Sequence, residues 1–128
     1  MNSSDVYRLE ALLELAGAYP GSLTAREVAR RRDIPSTFLA RLLGELAREE
    51  VVVTARGPRG GVRLAAPPEA IGLAQLLPPE APAEVGGAAV RWLAGRLAEV
   101  QQELLASQWL AGLVKLEREQ GTTPSYEI

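Results

Sequence analysis

The sequence predicts a mainly α-helical fold with a small β-hairpin: a winged helix-turn-helix carrying a long C-terminal dimerisation helix. Three observations lead there. Two helix signals are separated by three residues, a glycine-rich hairpin follows the second directly, and an apolar seam runs through the last third of the chain. The expected division is a winged unit over 1–68, a connecting segment and linker over 69–88, dimerisation helices over 89–120, and a loose tail over 121–128.

The first helix is expected from about Asp5 to Tyr19. Val6, Leu9, Leu12, Leu13 and Ala16 recur there at helical spacing and form one stripe. Ser3, Ser4 and Asp5 are the candidate N-caps, and Pro20-Gly21 stops the helix. Thr24-Ala25-Arg26-Glu27 then has the form of a capping box, with Leu23 and Val28 at the flanking apolar positions. This second helix is short and ends near Arg31 or Arg32. After a tight connection, Pro35 suits the opening turn of a third helix, where a missing N–H costs nothing. Leu39, Leu42, Leu43 and Leu46 supply its buried stripe. Two short helices joined by three or four residues have helix-turn-helix spacing.

Val51-Val52-Val53-Thr54 is a β-branched run with strand preference. Arg56-Gly57-Pro58-Arg59-Gly60-Gly61 reads as a turn, and Val62-Arg63-Leu64 alternates as a returning strand does. Ile71, Leu73, Leu76 and Leu77 predict a short helix or turn packed on the core. Residues 78–88 are rich in Pro, Ala and Gly and read as a linker. Val90, Leu93, Leu97, Val100 and Leu104 alternate at spacings of three and four, as in a coiled-coil seam. A long helix is expected to about Ala106, then a second one capped at Ser107 and carrying Trp109, Leu110, Leu113 and Leu116 on a different phase.

Composition narrows the function. The 128 residues suit one domain with or without a dimerising arm, and 47% of them are hydrophobic, enough for a core. No run of about 18 apolar residues marks a transmembrane helix, and the N-terminus lacks the basic-then-apolar pattern of a secretion signal; a cytoplasmic location is expected. Cysteine and histidine are both absent. That removes thiolate and imidazole metal ligands and the usual catalytic bases and nucleophiles. No cofactor is expected, and pairs such as Glu49-Glu50 read as solvated surface.

The net charge of −2 at first argues against a polyanionic partner. Its distribution reverses that impression. Residues 1–68 carry ten Arg and eight acids, a local +2; residues 69–128 carry four basic and eight acidic residues, a local −4. Local charge decides where a polyanion docks. The excess of Arg over the single Lys115 is compatible with coding bias, but the clustering is not.

A helix that reads DNA presents side chains from its N-terminal half to the major groove. Opposite the leucine stripe of the third helix lie Ser36, Thr37, Ala40 and Arg41, with Phe38 on the border. Hydroxyls bond phosphates or base edges, and an arginine can pair bidentately with guanine. Arg56, Arg59 and Arg63 surround the glycines of the hairpin, where arginines enter a narrow minor groove. Arg30-Arg31-Arg32 suits either phosphate contact or a helix end complementing its dipole.

These residues resemble the Rrf2 family of winged-helix regulators. The most specific stretch is Val53-Thr54-Ala55-Arg56-Gly57-Pro58-Arg59-Gly60-Gly61-Val62-Arg63-Leu64-Ala65, similar to the family's Arg-Gly-Pro-Gly-Gly-Gly-Tyr wing and the Leu-Ala strand after it. Tyr7, Leu23 through Ala29, and Phe38-Leu39 match further positions. Trp92 and Trp109-Leu110-Ala111-Gly112-Leu113 resemble the two ends of its dimerisation region. Arg59 stands for a wing glycine, Val62 for an aromatic, and Pro35 for a serine cap. Ala40-Arg41 also departs from the cluster-binding members, so sequence preference does not carry over. Those members hold an iron–sulfur cluster on three cysteines, which this chain lacks.

The resulting expectation is a homodimeric, sequence-specific DNA-binding regulator acting as a repressor without a cluster. It would read a near-palindromic operator in double-stranded DNA, with no membrane partner and an unknown effector. One rival is a winged-helix module that binds proteins and not DNA, favoured by the acidic C-terminal half and opposed by the arginine-bearing wing. The other, a sensor enzyme or metalloprotein, is opposed by the lack of His and Cys.

Overall fold

The computed structural model describes residues 1–55, 60–79 and 84–121. Six α-helices, a 3-10 turn and a two-stranded sheet follow one another among these: α1 (Ser3–Ala18), α2 (Ala25–Arg32), α3 (Ser36–Arg48), β1 (Val52–Thr54), β2 (Val62–Leu64), the 3-10 turn Pro68–Ala70, α4 (Leu73–Leu76), α5 (Ala88–Ala106) and α6 (Leu110–Gly121). This mostly helical chain with a hairpin and a long helix is the predicted fold class.

α1 starts earlier than its serines suggested. Asn2 is the cap: its side chain accepts from the Asp5 amide at 2.8 Å, and the Asp5 carboxylate accepts from the Asn2 amide at 3.1 Å. The helix buries Leu9, Ala11, Leu12, Leu15 and Ala16, whereas Val6 is 40% exposed and lies off the core face. At α2 the predicted box is complete. The Glu27 amide donates to Thr24 Oγ1 and the Thr24 amide to Glu27 Oε1, both at 3.1 Å. The Thr24 amide, and the Thr24 hydroxyl that also donates to Oε1 at 3.1 Å, hold the Glu27 carboxyl below its usual range, aided by Arg31 and Arg30. Asp33, with φ of 53°, ends the helix in the left-handed region.

Pro35 stands one place before the predicted opening turn, as the N-cap of α3. Leu39, Leu42, Leu43 and Leu46 are all buried, as their spacing required. α1, α2 and α3 pack on one another, and Leu12, Leu15, Val28, Leu39, Leu43 and Leu46 share one core cluster.

The hairpin pairs Val52 with Leu64, Val53 with Arg63 and Thr54 with Val62. It is also tied to the chain entering α2. The Leu23 amide donates to the Val62 carbonyl at 2.9 Å and the Val62 amide to the Leu23 carbonyl at 2.7 Å. Gly61 allows this approach, since a Cβ there would sit 2.8 Å from the Leu23 oxygen. The wing base is therefore a three-segment ladder fixed to the helix-turn-helix.

Ile71, Leu73, Leu76 and Leu77 are buried in the core cluster, as predicted. Ser107 does not cap the last helix; its hydroxyl donates to the Leu104 carbonyl at 3.0 Å, closing α5 instead. α6 begins at Leu110, whose amide donates to the Ile71 carbonyl at 2.8 Å. α6 then lies against α1 and the 3-10 turn.

Charge fixes that docking. Arg32, from the end of α2, donates to Glu14 at 2.8 Å, Glu10 at 3.0 Å and Glu117 of α6 at 2.6 and 2.8 Å. One guanidinium thus joins α2, α1 and α6, and its bonds keep it protonated far above any accessible pH. Hydrogen bonding from Arg32 holds the Glu117 carboxyl below its usual range. A carboxyl depressed in the folded state stabilises above the unfolded value, about 4.3, and that contribution disappears as pH falls through the folded value. The Glu117 side chain is 43% exposed, so solvent screening limits it to about 1 kcal/mol or less. Glu117→Gln is expected to unfold at lower urea than the parent at neutral pH, and the difference is expected to close below about pH 4. A gap unchanged across that range would show that the ion pair contributes nothing.

Candidate nucleic-acid interface

With its leucines inward, α3 turns Ser36, Thr37, Ala40 and Arg41 to solvent and leaves Phe38 half-buried. The first amides of α3 have no partners within the helix, and Pro35 supplies no side-chain cap. Ser36 and Thr37 at this helix start are exposed, and uncapped first-turn amides with nearby hydroxyls suit a phosphate oxygen.

Sequence reasoning missed a stack behind this face. The Phe38 ring meets Tyr7 of α1 edge-on, with centroids 5.2 Å apart and planes at 68°. The Arg41 guanidinium carbon lies over the same Phe38 ring, 4.8 Å from its centroid. Stacking on an aromatic face orients an arginine while its N–H edges stay available. Tyr7 was legible only as a match to a family pattern, and Phe38 as that and as the border of the exposed face; their contact spans 31 positions of sequence and has no local signal.

Arg63 is exposed on β2, with one N–H donated to the Leu64 carbonyl at 3.4 Å. Arg56 and Arg59 lie outside the described residues. The run Arg30-Arg31-Arg32 divides by partner. Arg32 is held in its carboxylate network and Arg31 pairs with Glu14 and Glu27, whereas Arg30, like Arg26, is exposed on α2 without an ion pair among the described residues. Those two arginines are the positive charge that α2 leaves free. Arg26 escaped prediction, and the run Arg30-Arg31-Arg32 was read undivided, because sequence does not show which arginines find acids.

The apolar seam is exposed. Val90, Leu93, Leu97, Val100 and Leu104 are 49–62% accessible and Trp92 is 68% accessible, while Leu105, off the seam, is buried. Leu110 of α6 is fully buried and Trp109 is half-exposed.

The profile of the family described as Rrf2, iron-dependent transcriptional regulator, matches residues 1–78. The chain belongs to the Rrf2 family. An HTH-type transcriptional regulator of Synechocystis is 41% identical over 73 residues, covering 56% of this chain and 49% of that protein. The HTH-type transcriptional regulator IscR of Cereibacter sphaeroides is 35% identical over 74 residues, covering 56% and 48%. The chain thus spans about half the length of these curated relatives. Among solved structures, CymR, the global cysteine regulator of B. subtilis, superposes with a TM-score of 0.75 at 27% identity, covering 91% of this chain and 96% of that one. IscR of T. potens gives 0.79 at 22% identity over 98% and 93%, a likeness of fold alone. Rrf2 proteins are transcriptional regulators and not enzymes.

The iron in the family description does not fit this Rrf2 chain. It has no cysteine and no histidine, and among the described residues no group of three or more acids is placed to hold a metal ion. Borderline and soft iron sites need thiolate or imidazole donors. Elemental analysis after anaerobic purification is expected to find iron far below one atom per chain; stoichiometric iron would overturn this.

Proposed function

We propose that the protein is a homodimeric, sequence-specific DNA-binding repressor that works without an iron–sulfur cluster. The observation that carries this reading is the outward face of α3: hydroxyls and free amides at the helix start, with Arg41 braced on Phe38 one turn on. Ser36 and Thr37 would bond phosphates or base edges, Ala40 would leave room for close approach, and Arg41 would read a guanine. Arg63, with Arg56 and Arg59, would follow the adjacent minor groove from a wing fixed in place by the Leu23–Val62 ladder. Among the described residues no helix is long and apolar enough to cross a membrane, and the cytoplasm is where such a regulator meets DNA.

Two copies would pair through α5. An apolar stripe of this size on a small chain calls for a partner surface, and a two-fold pair of recognition helices would suit a near-palindromic operator. Repression follows from occupancy of the operator, which needs no further activity from the chain. Sedimentation at micromolar concentration is expected to give a dimer, and Leu93→Glu with Leu97→Glu a monomer that keeps its helical content. A monomeric parent would contradict the arrangement.

Anisotropy titrations against operator and scrambled DNA at several salt concentrations separate the two contact types. Arg59→Ala is expected to weaken binding to every sequence and to reduce the log–log salt slope by roughly 0.9 if one phosphate contact is lost. Arg41→Ala is expected to relax preference at one base position per half-site, at about 1–3 kcal/mol. Unchanged affinity in both variants would favour the protein-binding alternative.

A further inference from the structure

A second site includes no residue of α3 or of the hairpin strands. A cavity of about 500 Å3 opens between the end of α1, the 3-10 turn and α6, within the range of small-molecule sites. Its walls are of two kinds. Ala16 is buried, and Ala111 and Val114 are half-buried beside it, forming an apolar floor. Tyr19, Lys115 and Arg118 bring polar groups to the same cavity, with Glu69 from the turn.

Those polar groups have few protein partners, unlike their neighbours. The arginines around the nearby helix junction, Arg8, Arg31 and Arg32, each bond two or more carboxylates. Arg118 has no ion pair among the described residues, and the Tyr19 hydroxyl has no hydrogen-bond partner there. Lys115 reaches only Glu119, one turn on, at 4.0 Å with both side chains well exposed. The C-terminal half is acidic overall and carries four basic residues, Arg91, Arg96, Lys115 and Arg118; two of them converge here. Of the charged residues lining the cavity, Lys115 and Arg118 against Glu69 leave a formal charge of +1, which matches a monoanion and not a dianion. An apolar floor beside that charge selects a ligand with a hydrocarbon body.

We propose that this cavity binds a small monocarboxylate with an apolar body. Its carboxylate sits between Lys115 and Arg118 and accepts from the Tyr19 hydroxyl. Its hydrocarbon part covers Ala16, Ala111 and Val114. The site does not rest on the DNA-binding reading. Because it lies between α1 of the helix-turn-helix and α6 of the C-terminal region, its occupant touches both.

Phenylacetate is a suitable probe, with neutral phenylacetamide as its control, titrated into the full chain without DNA and followed by methyl NMR. Phenylacetate is expected to shift the Ala111 and Val114 methyls saturably and to leave Val90 and Leu97 of the exposed α5 seam unmoved. Phenylacetamide, and the Lys115→Gln/Arg118→Gln double variant with phenylacetate, are expected to bind at least about tenfold more weakly, as loss of a charge-assisted pair requires. Both substituted side chains are exposed, so the variant is expected to keep the parent's spectrum elsewhere. Four results would overturn the site: no saturable shift up to about 10 mM, equal binding of the amide, shifts centred on the α5 seam, or tighter binding of inorganic phosphate than of phenylacetate.

Discussion

The leucines of α3 are pressed into a core that α1 supplies, and the orientation of everything outside follows from that contact. Leu39, Leu42 and Leu46 are almost wholly inaccessible and Leu43 nearly so. Burying each side chain is worth about 1.5–3 kcal/mol, so the stripe together rivals the net stability of a small domain, about 5–15 kcal/mol. Turning α3 by one residue's rotation would expose part of it. The face bearing Ser36, Thr37, Ala40 and Arg41 is therefore held outward by what lies behind it. The Tyr7–Phe38–Arg41 stack extends the same logic to a single side chain: α1 holds the ring and the ring holds the guanidinium.

The second organising contact is electrostatic. Arg32 ends α2 and bonds carboxylates from α1 and α6, so the C-terminal helix is tied to the helix-turn-helix through one residue. Its side chain is 16% exposed, which makes the satisfaction of its N–H groups a requirement. Leu110, buried at the start of α6, anchors the same helix from its other side. α5 and α6 thus differ in kind: α6 is committed to its own chain, whereas α5 buries Leu105 inward and leaves its valine–leucine seam outward.

Much of this architecture was legible in the sequence because its signals are local. The Thr24–Glu27 box, the α3 leucine spacing and the β-branched runs around the glycines each act over a few residues, and each appears where it was expected. The errors lie at helix ends. Asn2 outcompeted the serines as a cap because Asp5 lay three residues on to complete a box. Ser107 turned back to Leu104 because Gln108 and Trp109 were engaged with α4, through the Leu73 amide and the Gly72 bridge. The unread features are those that depend on distant partners. Glu117 meets Arg32 across 85 positions, and Tyr19 shares a cavity with Arg118 only because α6 folds back on α1.

The family's iron chemistry needs ligands that this chain lacks, whereas its fold needs only a core and caps, which the chain keeps. The proposed reading of DNA by α3 needs only that fold, and selection of binding sites from random DNA tests it most directly. The account predicts enrichment of one motif with two inverted half-sites, each carrying a guanine whose replacement matters only while Arg41 is present. Recovery of no motif above the starting pool, from protein shown to be folded, would contradict it.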